Sequence, residues 1–220
     1  MKQRIDGVAP PYAPETDRSL RRWMPPGVTE EPLMLFKVLE RHPELASRMR
    51  ALGAGLLVHG RLGDADRELV IARVCARCGC AYEWGVHMAA YAETAGLTPE
   101  QVALTASGTP DDPAWSPRQT ALLRAVDELH AGSRLSDTVW EDLRQHLGEA
   151  EALEFLVLAG WYRTIAYVAN GLDIDPEPWA LALPTGWISP PTRPRAGSGR
   201  PSSPARRSLC RGLCGTRRTA

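Results

Sequence analysis

Apolar residues recur every three or four positions through most of the chain, which is the period of helices with one buried face. From about residue 32 the repeat runs through successive segments that stop at residues such as Pro43 and Gly96. Two later segments open with the Thr or Ser, Pro and Gln arrangement of a capped helix, at Thr98 and Ser116. No segment alternates apolar and polar residues between hairpin turns. The pattern predicts an all-α body of about eight helices.

The composition changes at both ends of this body. Residues 1–31 contain five prolines and show no helical or strand period, so we predict an irregular Pro-rich arm that packs extended on the body or on a neighbouring subunit. Residues 32–183 form the predicted helical domain. Residues 184–220 are rich in Arg, Pro, Ser and Gly, which predicts a disordered tail. A metal or disulfide role for Cys210 and Cys214 in that tail is an alternative to their having no role.

The composition excludes several functional classes. No run of about 18 apolar residues occurs and the N-terminus lacks the apolar core of a secretory signal, so we expect a cytoplasmic protein with no membrane partner.

The formal net charge is +0, but residues 184–220 hold eight Arg and no acidic residue. The body is therefore acidic, which argues against nucleic acid as a partner. Neither a phosphate loop nor a dinucleotide fingerprint is present, so we expect no cofactor.

Three of the five cysteines are crowded at Cys75, Cys78 and Cys80, which is unlike a disulfide framework and predicts reduced thiols. A zinc site that adds His87 to these three thiols is one alternative, and a thioredoxin-like pair at Cys75 and Cys78 is another. A helical run would point the sulfurs apart, and no βαβ pattern surrounds them. We therefore expect no bound metal, and we interpret Cys75 as a buried free thiol.

The candidate chemistry lies between residues 68 and 87. Cys80, Glu83 and His87 are three and four residues apart, which places them on one helical face. Glu68 can reach them if its helix folds back alongside, and Gly79 permits a sharp change of direction. A histidine and two carboxylates in a partly dry pocket have pKa values that are pushed apart, which makes a proton donor and an acceptor. We predict that Glu68, Cys80, Glu83 and His87 are catalytic; a core histidine and a solvated acid are the alternatives for His87 and Glu68.

Two aromatic residues flank the same segment. Tyr82 and Trp84 are candidates for the wall of a substrate pocket, because their rings combine a large apolar face with a polar end. Plain core packing is the alternative for both residues.

With these residues in view, the stretch from about residue 33 to 175 resembles the carboxymuconolactone decarboxylase family, which includes alkylhydroperoxidase D-like (AhpD-like) proteins. Many members carry a Glu followed by Cys-x-x-Cys-x-x-x-His. Glu68 falls on the family's glutamate, Cys80 on its first cysteine and His87 on its histidine, whereas Glu83 occupies the position of the second cysteine. The resemblance implies an all-helical AhpD-like fold and a homo-oligomer, either a trimer or a hexamer.

The resemblance also implies two kinds of enzyme. In the peroxidase members, with peroxiredoxin activity, the second cysteine attacks and the first resolves the sulfenate; here Glu83 removes that attacking thiol. The first hypothesis is therefore proton transfer by Glu68, Glu83 and His87 on a small organic acid or lactone. The second is an AhpD-like thiol peroxidase, an oxidoreductase with Cys80 as its one site thiol. A catalytically silent oligomeric binding module is the third.

Overall fold

Nine helices and no strand lie in the part of the chain that the computed structural model describes, which is residues 3–24 and 29–184. The prediction of an all-α fold is confirmed, and all eight predicted helices are present. In chain order the helices are α1 (Pro14–Arg21), α2 (Met34–Leu39), α3 (Pro43–Val58), α4 (Asp64–Arg77), α5 (Ala81–Tyr91), α6 (Pro99–Ser107), α7 (Pro117–Gly132), α8 (Asp137–His146) and α9 (Glu149–Gly171). Residues 185–220 lie outside the described residues, so the predicted disorder of the tail and the roles of Cys210 and Cys214 stay predictions.

Helix α1 is the element that the sequence reading missed, since residues 1–31 were expected to be irregular throughout. Its local signals are present: Pro14 occupies the first turn, Glu15 and Asp17 lie near the N-terminus, and Arg21 lies in the last turn. Only Leu20 is buried, so the helix has no repeating apolar stripe for a periodicity argument to detect. The arm also packs on the body, because the amide of Val8 donates to the Lys37 carbonyl at 3.0 Å.

The predicted capping signals form as hydrogen bonds. The Thr98 hydroxyl accepts from the Gln101 amide and the Gln101 side chain accepts from the Thr98 amide, which is a capping box at the start of α6. Ser116 and Gln119 make the same pair of bonds at the start of α7. Each box satisfies two backbone donors that a helix N-terminus leaves unpaired, so both helix starts are set by local sequence.

Helix α4 is the central element of the core and packs against α5, α6, α7 and α9. It carries one fully buried cation, Arg73, which is 0 % exposed. The Arg73 guanidinium donates two 2.8 Å bonds to Asp127 on α7 and further bonds to the carbonyls of Thr105 and Gly108 at the end of α6. Arg77 also binds Asp127. A buried cation is tolerated because every bond joins it to a charge or a carbonyl, and these bonds tie α4 to two neighbours.

The turn between α4 and α5 is a Schellman motif. Gly79 has φ of 61°, in the left-handed region. The Cys80 amide donates to the Cys75 carbonyl at 2.8 Å, and the Gly79 amide donates to the Ala76 carbonyl at 3.0 Å. These are the two bonds of the motif, and the Cys75 and Cys80 side chains occupy the positions that usually make its apolar contact. The chain thereby reverses within a few residues and packs α5 against α4.

The segment after α9 covers α5. Glu177 accepts 2.6 Å bonds from the Tyr82 hydroxyl on α5 and from the Met34 amide on α2. The Leu181 amide donates to the Gly85 carbonyl, and a Cβ at position 85 would collide with the Leu181 carbonyl oxygen. Gly85 therefore allows the close approach of this segment to the helix that carries the candidate site.

Helix α9 is long and apolar enough to cross a membrane if length and composition alone are considered. Half of its most apolar window is buried inside the protein, where Phe155, Leu158 and Ile165 join the core. A buried core helix can be as long and as apolar as a membrane-spanning helix. Packing in the core therefore explains the composition of α9.

We predict opposite effects of alanine at two glycines. Gly79→Ala should destabilise the protein by about 1–2 kcal/mol, because a side chain disfavours the left-handed conformation. Gly55→Ala should stabilise it by up to about 1 kcal/mol, because Gly55 is inside α3 and an added Cβ meets nothing within 4 Å. Urea unfolding of both variants measures the difference. Equal effects of the two substitutions would contradict the role assigned to the turn.

Candidate active site

The centre of the site is a buried ion pair between α4 and α5. Nδ1 of His87 lies 2.7 Å from Oε2 of Glu68, and the two side chains are 5 % and 1 % exposed. Oε1 of Glu68 accepts a 3.2 Å bond from Arg67, which also binds Asp64 at the start of the helix. The carboxylate of Glu68 is thus held from both oxygens, so the orientation of the imidazole is fixed by α4.

The other imidazole nitrogen faces two oxygens. Nε2 of His87 lies 3.4 Å from Oε1 of Glu83, one turn earlier on α5, and 3.0 Å from the hydroxyl of Tyr162 on α9. The Tyr162 ring meets the imidazole edge-on at a centroid distance of 5.1 Å. The predicted proximity of residues 68, 83 and 87 is therefore present, and their catalytic roles stay predictions.

One carboxylate oxygen in this cluster has no partner. Oε2 of Glu83 is buried and makes no hydrogen bond within the described part of the chain. An acceptor that is removed from water without a compensating bond costs free energy, and such groups are rare in folded proteins. Glu83 therefore keeps an unused acceptor beside the imidazole, which is available to a bound molecule.

The charges decide the state of the histidine. Burial alone lowers the pKa of His87, but the hydrogen bonds and charges of Glu68 and Glu83 outweigh burial and raise the pKa to about 9. Burial raises the pKa of the Tyr162 hydroxyl, and the same two carboxylates add to the effect. At neutral pH the cluster therefore contains an imidazolium next to a neutral phenol.

Cys75, Cys78 and Cys80 make no hydrogen bond to this cluster within the described residues, although Cys75 is close enough to Glu83 and Tyr162 for their charges to interact. Cys75 and Cys80 are both 0 % exposed, and burial, followed by the neighbouring Cys80 thiol, raises the pKa of Cys75 well above its usual range. The sulfur of Cys78 lies 3.9 Å from Nδ1 of His130, away from the nitrogens of His87 that bind Glu68 and Tyr162. Among residues 3–24 and 29–184 no group of three or more His, Cys, Asp or Glu side chains has an arrangement that suits a metal ion.

The two predicted wall residues bind elsewhere. The Tyr82 hydroxyl donates to Glu177 and accepts from the Leu35 amide, and the Trp84 indole donates to the Thr105 hydroxyl at 3.0 Å. Both rings are almost completely buried in the core. These contacts correspond to the core-packing alternative, and they anchor α5 on α2 and α6.

The sequence reading missed Tyr162, Arg67 and Tyr91. Tyr162 lies in the strongly apolar α9, where a buried hydroxyl requires a polar partner, and that was the signal that could have identified it. Tyr91 follows His87 by one turn, with ring centroids 5.3 Å apart, and is 37 % exposed. No spacing rule connects positions 162 and 87, since only the tertiary fold brings α9 to α5.

Comparison with known proteins identifies the domain. Residues 43–128, which contain Glu68, Cys80, Glu83 and His87, match the model of the carboxymuconolactone decarboxylase family. The match covers 86 of the 220 residues, and this part of the chain is similar to that family. None of the curated proteins matches the chain. The matched stretch ends before α9, so Tyr162 lies outside the part of the chain that is similar to the family.

Solved structures share the fold of this chain. A peroxidase-related protein from Silicibacter sp. TM1040 has a TM-score of 0.69 at 19% identity, over 80% of this chain and 92% of that one. A cysteine-to-alanine variant of the debrominase Bmp8, in complex with 2,3,4-tribromopyrrole, has a TM-score of 0.67 at 13% identity, over 81% and 94%. The alkylhydroperoxidase AhpD core of a peroxidase-related protein from Ralstonia eutropha JMP134 has a TM-score of 0.56 at 23% identity, over 66% and 76%. These similarities confirm the AhpD-like fold.

We predict that His87 stays protonated well above neutral pH. Because its folded pKa of about 9 lies above the 6.5 of an ordinary histidine, the stabilisation is complete below pH 6.5 and is lost as the pH rises through 9. The total change in the free energy of unfolding is about 3 kcal/mol. NMR titration of the imidazole resonances of His87 measures the pKa. A His87 midpoint below 7 would show that the two carboxylates do not hold the proton.

Proposed function

We propose that this protein is an enzyme that transfers protons to and from carbon next to a carbonyl, on a small organic acid or lactone. The observation that carries the proposal is the unpartnered, buried Oε2 of Glu83 beside a protonated His87. Nε2 of His87 lies 3.4 Å from Oε1 of Glu83, so the site holds a proton donor and a proton acceptor side by side. Such a pair can both deliver a proton to carbon and remove one without rearrangement of the site. The name of the matching family contains carboxymuconolactone, which is an acid and a lactone, and this supports the class of substrate.

In this proposal Glu68 positions the histidine. Its two oxygens are bound by Arg67 and by Nδ1 of His87, so its carboxylate is held against the imidazole. A carboxylate that holds one imidazole nitrogen orients the other nitrogen and stabilises the charged ring. Nε2, which faces Glu83 and the Tyr162 hydroxyl, is the nitrogen that exchanges a proton.

The proposed step balances within the site. In a decarboxylation, the bond to the leaving carboxylate breaks, carbon dioxide departs and its electron pair passes into the enolate of the adjacent carbonyl. Nε2 of His87 then donates its proton to the carbon, and the neutral imidazole regains a proton from solvent. In an isomerisation, Oε2 of Glu83 removes the proton from carbon first. Neither route needs an oxidant or a thiol.

The thiol peroxidase is the second candidate, because two of the structural neighbours are described as peroxidase-related. The site offers it less support. Reactive cysteines lie in partly exposed, electropositive surroundings, whereas Cys80 is 0 % exposed and the residue three positions on is an acid. Peroxide attack would require Cys80 to become accessible first.

We further propose that the protein is a cytoplasmic homo-oligomer, as the family resemblance implies. Helices α3 and α9 pack against each other and both leave large apolar side chains exposed. The exposed residues are Leu45, Leu52, Val58, Leu153, Val157 and Tyr167. A second copy of the chain is the occupant that would cover this α3–α9 patch, since apolar surface of this kind marks interfaces. Three free, largely buried thiols fit a reducing compartment.

Two single variants separate the candidate activities. Glu83→Gln should lower the rate of carbon dioxide release from carboxymuconolactone by about 100-fold or more, because the neutral amide no longer supports the protonated His87 that donates to carbon. Cys80→Ser should change that rate little. In a parallel assay, hydroperoxide consumption with a dithiol reductant is followed for the same variants. The opposite pattern, with peroxide consumption lost in Cys80→Ser and kept in Glu83→Gln, would establish the peroxidase; wild-type inactivity in both assays would favour the silent module.

The oligomer is tested with one charge on each helix of the α3–α9 patch. Leu52→Glu and Leu153→Glu should each lower the mass measured by light scattering after size exclusion, because a buried unpaired carboxylate opposes association. Gln145→Glu, at an exposed position of α8, is the matched control. A wild-type mass equal to one chain, 24.1 kDa, would refute the proposal.

A further inference from the structure

A partly open cavity of about 170 Å³ lies between α4, α7 and α9. None of its lining residues belongs to the Glu68–Glu83–His87–Tyr162 cluster. Most of the lining is apolar, from Val74, Val126, Leu129, Leu156, Ala159 and Gly160, and the polar residues are Cys78, His130, Ser133 and Arg163. Pockets for drug-sized ligands begin at about 300 Å³, so this cavity suits a smaller molecule.

Arg163 is the one charged residue of the lining and makes no ion pair with any of the described residues. Its Nε donates to the Tyr167 hydroxyl at 2.8 Å, and its Nη1 donates to the carbonyl of His130 at 3.2 Å. Nη2 has no hydrogen-bond partner within residues 3–24 and 29–184. These two bonds and a 3.5 Å bond from Nη1 to the Leu129 carbonyl hold the guanidinium in place by neutral oxygens alone, so its charge is left for an anion.

The neighbouring groups leave the cavity positive. Burial lowers the pKa of His130, and the charges of Arg163 and Arg77 lower it further, so this imidazole is neutral at pH 7. Burial raises the pKa of Cys78, which keeps its thiol protonated. The nearest acid of α7, Asp127, is already bound by Arg73 and Arg77. No carboxylate lines the cavity, so none competes for Arg163.

We propose that this cavity binds a small carboxylic acid with an apolar body, whose carboxylate pairs with Arg163 and whose body fills the space between α4, α7 and α9. The apolar lining takes up the hydrocarbon part through burial of its surface. The guanidinium fork suits the two oxygens of a carboxylate. The site is separate from the proposed proton-transfer site and does not depend on it.

Gly160 lines the cavity at an exposed position of α9. It lies in the middle of α9, where glycine costs up to about 1 kcal/mol relative to alanine. An added Cβ there meets nothing within 4 Å, so no packing contact requires the absence of a side chain. A larger side chain at this position extends into open space beside the lining and closes the entrance without disturbing the core.

Cys78 supplies a reporter for the test. The full chain is treated with N-ethylmaleimide, and the alkylation rate of Cys78 is measured by peptide mass spectrometry with benzoate or with benzamide, its neutral counterpart, as the probe. The fully buried Cys75 and Cys80 should stay unmodified and report an intact fold. At ten times its dissociation constant, benzoate should slow alkylation of Cys78 by about tenfold. Benzamide should slow it much less.

Two variants decide the origin of the protection. Arg163→Gln should remove the difference between benzoate and benzamide, and Arg163→Lys should retain part of it. Gly160→Leu should abolish protection by benzoate, while Gly160→Ala should leave it intact. Equal protection by the two probes, persistence of the difference in Arg163→Gln, or no protection of the wild type by tens of millimolar benzoate would each overturn the proposal.

Discussion

The left-handed turn at Gly79 is the constraint on which the site depends. Glu68 and His87 are 19 residues apart in sequence and 2.7 Å apart in the fold, and the turn alone brings their helices together. Its hydrogen bonds come from Cys75, Ala76, Gly79 and Cys80, so two of the three crowded cysteines act as structural parts of the reversal. The segment that most invites a redox interpretation thus also forms the turn between α4 and α5.

Electrostatic balance keeps the buried cluster folded. Two carboxylates, Glu68 and Glu83, share a space with one imidazolium and the Arg67 guanidinium, so like charges are separated by opposite ones. Buried charges are stable when each has a partner, and the cluster leaves one oxygen of Glu83 outside this arrangement. The unpaired oxygen of Glu83 costs the fold free energy, and buried ionisable groups that are not arranged for stability are typical of functional sites.

The sequence predicts elements whose causes are local. The capping boxes at Thr98 and Ser116, the reversal near Gly79 and the shared face of Glu83 and His87 all depend on neighbours within a few residues. Helix α1 was missed because a helix with a single buried residue has no detectable period. Tyr162 was missed for a different reason, since its contact with His87 joins two helices 75 residues apart and depends on how α9 packs. Local chemistry is readable from the sequence, whereas the tertiary partners of a site are not.

Because Asp127 binds two arginines, the core tolerates substitution of one of these arginines better than substitution of Asp127. Arg73 and Arg77 on α4 both bind Asp127 on α7, so the loss of Arg77 leaves the Arg73–Asp127 ion pair intact. The loss of Asp127 would remove the carboxylate that both arginines bind, and one of them, Arg73, is fully buried. Random variation across this region should therefore accumulate at position 77 and be purged at position 127, although both residues belong to the same contact.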